Sequence, residues 1–325
     1  MNAFINATGS YLPANVVSNE ELAPRLGLSP EQIFKSSGIR ARRYAASGES
    51  TSTLGAAALK NTGVSLEDID YLIVGTMTSD RFVPGSAPAV QASLNIREVP
   101  CLDIRAACCN ALYGLQLANA LVKAGISTKA AVCLAEVQSA FLNVSPIAGT
   151  TSMLFGDGAA AFIVSSRPEA GALEIVDVHL ATDGKYVDDL GIRAPGSEFR
   201  GRAESPDYEP RMNGQAVILQ ASRRMLAACQ TVLDRNSLSI DDVSWIVPHQ
   251  ANANLLAQLV RGLRLPASKV VSVIEHTGNT SSASMGIALD TLRRSGNLRP
   301  GESVLMPAFA AGFTWGAALC RAGGI

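Results

Sequence analysis

The sequence has few aromatic residues, 5% of 325, and no block of basic residues anywhere. With 27 basic against 28 acidic side chains, it offers a nucleic acid neither neutralising charge nor stacking platforms. Long apolar runs are missing too, because each is broken by charge or turn residues well short of a membrane span. Met1 to Asn6 has neither a charged n-region nor an apolar core, so no secretory signal is expected there. The three histidines, His179, His249 and His276, are far apart and form no local metal cluster. The six cysteines (Cys101, Cys108, Cys109, Cys133, Cys229 and Cys320) lack metal-ligand spacing and mostly sit in apolar runs, as reduced thiols of a cytoplasmic protein do. What the chain does have is 47% hydrophobic against 17% charged residues. That composition suits an extensive core in one large domain or two fused ones.

The stretch Asp103 to Leu115 draws attention first. The apolar run Val99-Pro100-Cys101-Leu102 before it is of strand type, and Leu112, Leu115, Leu117, Leu121 and Val122 recur after it at roughly helical spacing. Cys108 and Cys109 therefore fall where a strand hands over to a helix. A thiol in a helix's first turn faces the positive end of the macrodipole, which favours thiolate below the usual pKa of about 8.5. On this stretch alone a second reading stands equally: small Cys and Ala residues let the helix pack closely on a sheet.

Elsewhere strands and helices alternate. Helices are expected from Ser18 and from Ser29, over Thr51 to Lys60, Ala89 to Leu94, Gly214 to Asn236, Leu255 to Arg264 and Ser284 to Ser295. Strands are expected over Ile69 to Gly75, Ala130 to Ala135, Ala159 to Val164, Leu173 to His179, Val243 to Pro248, Val270 to Ile274, Ser303 to Phe309 and Thr314 to Cys320. Gly9 to Pro13 reads as a loop, and Thr182 to Arg211 as a polar, loop-rich insertion. Alternation of this kind implies a parallel sheet with crossover helices, an α/β fold. Ser65 to Val74 and Ser237 to Val247 share one plan, a polar turn leading into Asp-x-Asp-Tyr-Leu-Ile-Val or Asp-Asp-Val-Ser-Trp-Ile-Val. The chain thus reads as a duplication, residues 1–170 carrying the cysteine pair and residues 171–325 forming a second half.

Ligands of open parallel sheets gather at strand ends. Cys108 follows one strand, His249 stands at the end of a second, and Asn279 lies in the turn Gly278-Asn279-Thr280 after a third. A lone histidine is structural more often than not. A histidine, a cysteine and a polar turn at three strand ends make a candidate site.

Taken together, seven segments carry a resemblance: Gly9 to Pro13, Ser37 to Arg40, Asp103 to Leu115, Phe155 to Ala159, Pro248 to Asn252, Gly278 to Ser284 and Ala308 to Gly316. In them the chain resembles the beta-ketoacyl-acyl-carrier-protein synthase III family of the thiolase superfamily. The resemblance implies a duplicated five-layer αβαβα fold and a decarboxylative Claisen condensation of an acyl thioester with malonyl-acyl-carrier protein. It implies Cys108 as nucleophile, His249 and Asn279 as its catalytic companions, Asn252 in support, and backbone N–H groups of Cys108 and Ala311 as the oxyanion hole. Val83, Asn110 and Phe309 match acyl-pocket positions, and Arg261 and Arg264 are candidates to meet an acidic carrier. It implies a cytoplasmic homodimer that needs no metal or redox cofactor and contacts neither nucleic acid nor membrane. The alternatives are an acyltransferase using another acceptor and a non-catalytic partner subunit.

Departures from the family stand beside the matches. Gln32, Ser36, Gly149 and Asn254 occupy positions where the family grips coenzyme A with aromatic and basic residues, so the acyl donor is expected on coenzyme A held otherwise or on a carrier protein. Ala310-Ala311-Gly312 replaces a glycine-rich loop, and Ala is strained there if φ is positive. Arg105 reads as one half of a structural ion pair, and Cys320, His179 and His276 as structural. A 3-hydroxy-3-methylglutaryl synthase would need a glutamate near Cys108, and none is near in sequence.

Overall fold

Gly158–Ser165 and Ser303–Ala310 are buried at every position. Strands covered on both faces read as continuous apolar runs. A computed structural model, which describes residues 2–198 and 206–323, places both well inside a nine-stranded sheet. Its order is Trp245–Ile246, Ser303–Ala310, Thr314–Ala322, Leu173–Thr182, Phe4–Tyr11, Gly158–Ser165, Lys129–Glu136, Tyr71–Gly75 and Cys101–Ile104. The join in the middle is thin, because Phe4–Tyr11 meets Leu173–Thr182 only through Phe4 with Glu174 and Ile5 with Leu173.

On either side of that join the same pattern runs outward. Phe4–Tyr11 pairs antiparallel with Gly158–Ser165, which pairs antiparallel with Lys129–Glu136; Tyr71–Gly75 and Cys101–Ile104 then follow in parallel. Leu173–Thr182, Thr314–Ala322 and Ser303–Ala310 repeat the two antiparallel pairings. Trp245–Ile246 and a bridge to Val270 repeat the parallel ones. The sheets are therefore mixed, which corrects the expectation of a parallel sheet.

Helices Asn110–Lys123 and Ser284–Arg294 form the central layer. Leu112, Leu115, Ile287 and Leu289 share one buried cluster with Val132 and Phe162 of the first sheet and Val304 and Met306 of the second. Thr51–Lys60 and Ser86–Leu94 cover the first sheet's outer face, and Gly214–Arg235 and Ala253–Leu263 cover the second's. This is the duplicated five-layer arrangement of the thiolase-like fold. Two glycines let the central helices close on the first sheet. A Cβ at Gly114 would lie 2.5 Å from Val132 Cγ1, and one at Gly286 would lie 2.4 Å from the Ala160 Cβ.

Several expected elements differ. Gly9 to Tyr11 is strand, not loop; a Cβ at Gly9 would come within 2.3 Å of Ala58 O, so this glycine serves a close approach of helix to sheet. Only Val270 of the expected strand Val270 to Ile274 pairs, and Ile274–Thr277 is a helical turn. The insertion holds a short pairing of Leu190–Gly191 with Arg211–Met212, while its residues 199–205 lie outside the described ones. Among the described residues no helix is long and apolar enough to cross a membrane.

Gly286→Val overpacks the central layer against Ala160 and Phe162. Such a change is expected to cost about 1–3 kcal/mol, read as a lower urea midpoint at unchanged m-value.

Candidate active site

Cys108 sits in a single 3₁₀ turn, Ala107–Cys109, between strand Cys101–Ile104 and helix Asn110–Lys123. Ala107 before it has φ 49°, a left-handed conformation uncommon for a residue with a Cβ. Side chains on either side of this turn are tied down. The Asp103 carboxylate accepts from the N–H groups of Ser86 (2.7 Å) and Ala87 (3.1 Å), capping a helix whose own N-cap, Gly85, has no side chain. Asn110 Oδ1 accepts from Ala106 N–H at 2.6 Å. Asn110 is fully buried against Gly75, where a Cβ would lie 2.7 Å from its own, and its Nδ2 has no partner.

The second half contributes a loop and a turn. His249 N–H donates to Pro307 O at 3.0 Å beyond the end of Trp245–Ile246. Gln250 pins the loop, donating to Pro248 O and Val271 O and accepting from Val273 N–H. His249 Nδ1 lies 2.7 Å from Ser284 Oγ, which also accepts from Gln250 N–H at 3.1 Å. Ser284 Oγ has no other acceptor among the described residues, so its proton goes to Nδ1 and the imidazole carries its own on Nε2. Asn279 is anchored to the first half: its N–H donates to Leu154 O at 2.8 Å, and its carbonyl accepts from Gly156 N–H at 3.1 Å. Its Oδ1 accepts from Ser281 N–H at 2.8 Å, which leaves the Nδ2 hydrogens free to donate. Ser281 Oγ in turn lies 3.5 Å from Cys108 Sγ. Residues 279–284 therefore touch Cys108 through Ser281, supply Asn279, and orient His249 through Ser284.

Burial governs the charges. It pushes the Cys108 thiol up to about 11; the Ser281 hydroxyl opposes this and the Glu136 charge adds to it. It pushes the His249 imidazole down to about 4. Near neutral pH the Cys108 thiol and the His249 imidazole are thus both uncharged, against the expectation of a resting thiolate. The regular helix starts only at Asn110, after the 3₁₀ turn, and desolvation of the sulfur outweighs the dipole.

Glu136 is the residue that sequence reasoning missed. It ends strand Lys129–Glu136 fully buried, and burial pushes its carboxyl up to about 7. The signal was a lone acid closing an otherwise apolar strand. Its proximity to Cys108 arises only in the fold.

The remaining candidates are scattered. Ala311 is not among the positive-φ residues, so alanine is unstrained there, and its N–H makes no hydrogen bond among the described residues. Phe309 lies in the outer cluster of the second half, packed on Phe313 at 4.8 Å, whereas Cys108 packs on the central cluster. Val83 is 77% exposed on a loop beside Phe82. Asn252 caps Ala253–Leu263, accepting from Asn254 N–H, and donates to Ser36 O at 2.9 Å.

Of the four positions that depart from the resemblance, two have engaged side chains, one offers only its backbone carbonyl and one has no room for a side chain. Gln32 closes a capping box with Ser29; Asn254 donates to Lys35 O and Ser36 O; and a Cβ on buried Gly149 would lie 2.9 Å from Leu26 O. Arg261 and Arg264 are exposed and unpaired among the described residues. Arg105 is likewise exposed with no ion pair there, which corrects its reading as half of a structural pair. Cys320 is core, His179 is half-buried on its strand and His276 is exposed. The described residues hold no group of side chains able to bind a metal.

Comparison with known proteins gives a consistent result. The family model described as 3-oxoacyl-[acyl-carrier-protein] synthase III matches residues 102–184, and its C-terminal counterpart matches residues 233–322. A beta-ketoacyl-[acyl-carrier-protein] synthase III of Methylococcus capsulatus is 37% identical over 321 residues, 98% of each chain. A crystal structure of a 3-oxoacyl-(acyl carrier protein) synthase III from Pseudomonas aeruginosa superposes with TM-score 0.89 at 34% identity, covering 100% of this chain and 99% of that one. A priming beta-ketosynthase of a polyketide pathway superposes equally well, TM-score 0.89 at 32% identity, covering 99% and 96%.

The depressed His249 value links the site to stability. Unfolding returns the imidazole to its ordinary value near 6.5, so between that pH and about 4 the unfolded chain binds the proton that the folded one refuses. Stability is therefore lost as pH falls. Relative to His249→Gln, the wild-type protein is expected to lose roughly 2 kcal/mol between pH 7 and pH 5, measured by urea unfolding at each pH.

Proposed function

This chain belongs to the beta-ketoacyl-[acyl-carrier-protein] synthase III family, and from that premise we propose how its own residues carry the family's reaction. The enzyme forms a 3-oxoacyl thioester by decarboxylative Claisen condensation of an acyl thioester with malonyl-acyl-carrier protein, through an acyl-Cys intermediate.

Cys108 attacks the acyl thioester. The proton it gives up is the one the departing carrier thiol takes, so acyl transfer starts and ends with a neutral site. The backbone N–H groups of Cys108 and Ala311 hold the oxyanion. Malonyl thioester then enters and loses carbon dioxide, and the electron pair left behind delocalises onto the thioester oxygen. His249 Nε2–H and Asn279 Nδ2–H donate to that oxygen. The carbanion attacks the acyl-Cys carbonyl, the carbon–sulfur bond breaks, and the freed sulfur is reprotonated. The observation that supports this assignment is the free donor left on each of His249 and Asn279 once Ser284 and Ser281 have taken their other polar atoms.

The internal bonds of Gln32 and Asn254 and the lack of space for a side chain at Gly149 favour an acyl donor delivered on a carrier protein. Arg261 and Arg264 are the cations available to meet its acidic face. The exposed Phe82 and Val83 favour a homodimer in which that loop is covered by the second subunit. The enzyme works in the cytoplasm, and the reaction so written draws on no cofactor.

Intact-protein mass spectrometry after exposure to acyl thioesters tests the assignment. A stable adduct is expected in the wild type and none in Cys108→Ser. His249→Ala and Asn279→Ala should still acylate while releasing carbon dioxide from malonyl carrier protein about 10²–10³-fold more slowly. An adduct formed without any carbon dioxide release would point instead to transfer onto another acceptor.

A further inference from the structure

Glu136 has no part in the reaction as written, yet it holds Ser282 at 2.6 Å, and the neighbouring Ser281 reaches Cys108 Sγ at 3.5 Å. We propose that Glu136 is a positioning residue of this site, a switchable carboxyl that fixes the 279–284 segment through Ser282 and governs how readily Cys108 releases its proton. The proposal rests on the reading of Cys108 as the nucleophile.

The geometry provides for two states. Ser282 Oγ donates to Oε1 at 2.6 Å, Thr78 Oγ1 to Oε2 at 3.1 Å, Met77 N–H to both oxygens at 3.2 Å, and Gln138 Nε2 to Oε2 at 3.2 Å. Every partner donates, as suits an acceptor-only carboxylate. Ser282 Oγ also lies 3.3 Å from Gly75 O. When Glu136 is protonated, its hydroxyl can donate to Ser282 Oγ while the serine proton turns to Gly75 O. Neither state strands the serine, so the group can change charge without breaking the contact between the halves.

Little else around it is charged. Segments 76–78, 138–140 and 281–283 carry no ionisable side chain. The ionisable groups nearby are Cys108 and Cys109 on the 3₁₀ turn, the neutral His249 of the same site, Asp157 and Asp80. Asp157 precedes the strand that pairs with Glu136 and is held by Ser139 and Ala45 N–H. Asp80 lies beyond Thr78, held by Ser52 and Ser86. Burial places the carboxyl's titration near neutrality, at about 7. Once ionised it makes a thiolate at Cys108 harder to form.

Alkylation of Cys108 by iodoacetamide, followed by peptide mapping from about pH 6 to pH 10 with melting temperatures recorded, separates the outcomes. In the wild type the logarithm of the rate should climb by less than one per pH unit across neutrality, because Glu136 ionises as the thiol does. In Glu136→Gln it should climb by one, with Cys108 reacting about three- to tenfold faster near pH 8. Ser282→Ala removes a donor that favours the charged carboxyl, so its shallow region should move to higher pH. Identical profiles in all three proteins overturn the proposal; if Glu136→Gln does not fold, a shallow region unmoved in Ser282→Ala does so alone. Alkylation needs no acyl donor. Unchanged profiles beside normal acyl-Cys108 formation would thus reject the role of Glu136 only, whereas a wild-type protein that never acylates Cys108 would reject the reading of the site beneath it.

Discussion

The site depends on one crossing, where residues 279–284 of the second half lie down on the first. Asn279 pairs through its backbone with Leu154 and Gly156, Ser281 reaches Cys108, Ser282 reaches Glu136, and Ser284 turns back to His249. Backbones can meet this closely only with glycine on both sides. A Cβ on Gly156 would lie 2.3 Å from Thr277 O, and Gly278 takes φ 64°. The duplication explains why a crossing is needed at all. Each half brings strand ends to the middle of the molecule, but neither holds a nucleophile and its donors together.

The magnitudes decide what kind of nucleophile this is. Raising the Cys108 thiol from its ordinary value to about 11 corresponds to roughly 3 kcal/mol against the anion. A helix terminus ordinarily returns about 0.3–1 kcal/mol. The dipole therefore loses, and the resting sulfur keeps its proton. His249 is displaced in the opposite sense by the same cause, so a thiolate–imidazolium pair is disfavoured from both sides. A neutral site fits a reaction in which one thiol replaces another, and a neutral imidazole with its proton on Nε2 remains a donor throughout.

How much of this was legible varies element by element. Helix Thr51–Lys60 is readable to its ends because Ser50 and Thr53 form a capping box ahead of buried Leu54 and Ala58. Strand Phe4–Tyr11 is not readable, because polar Asn6 and Thr8 interrupt it. Both are buried and satisfied by Ser165 and Asp290 from distant parts of the chain, so the interruption vanishes only in the fold. Strand direction leaves no mark on composition, which is why a parallel sheet was expected and a mixed one found. Cys108, His249 and Asn279 were readable because strand ends and turns announce themselves locally. Glu136 was not, since its partner Ser282 lies in the other half and burial alone makes it unusual. The charge state of Cys108 was misjudged for the same reason: helix position shows in sequence, while desolvation does not.

The mouth of the site follows from local chemistry as well. At residue 149 a side chain would press on Leu26 O, so the backbone as it stands keeps glycine there. Asn254 and Asn252 both donate to Ser36 O, tying the last turn of helix Pro30–Ser37 to the helix after His249. Arg261, in the last turn of that helix, and Arg264, its C-cap, are exposed. Exposed cations add little affinity in water, yet they steer an oppositely charged surface towards productive encounter.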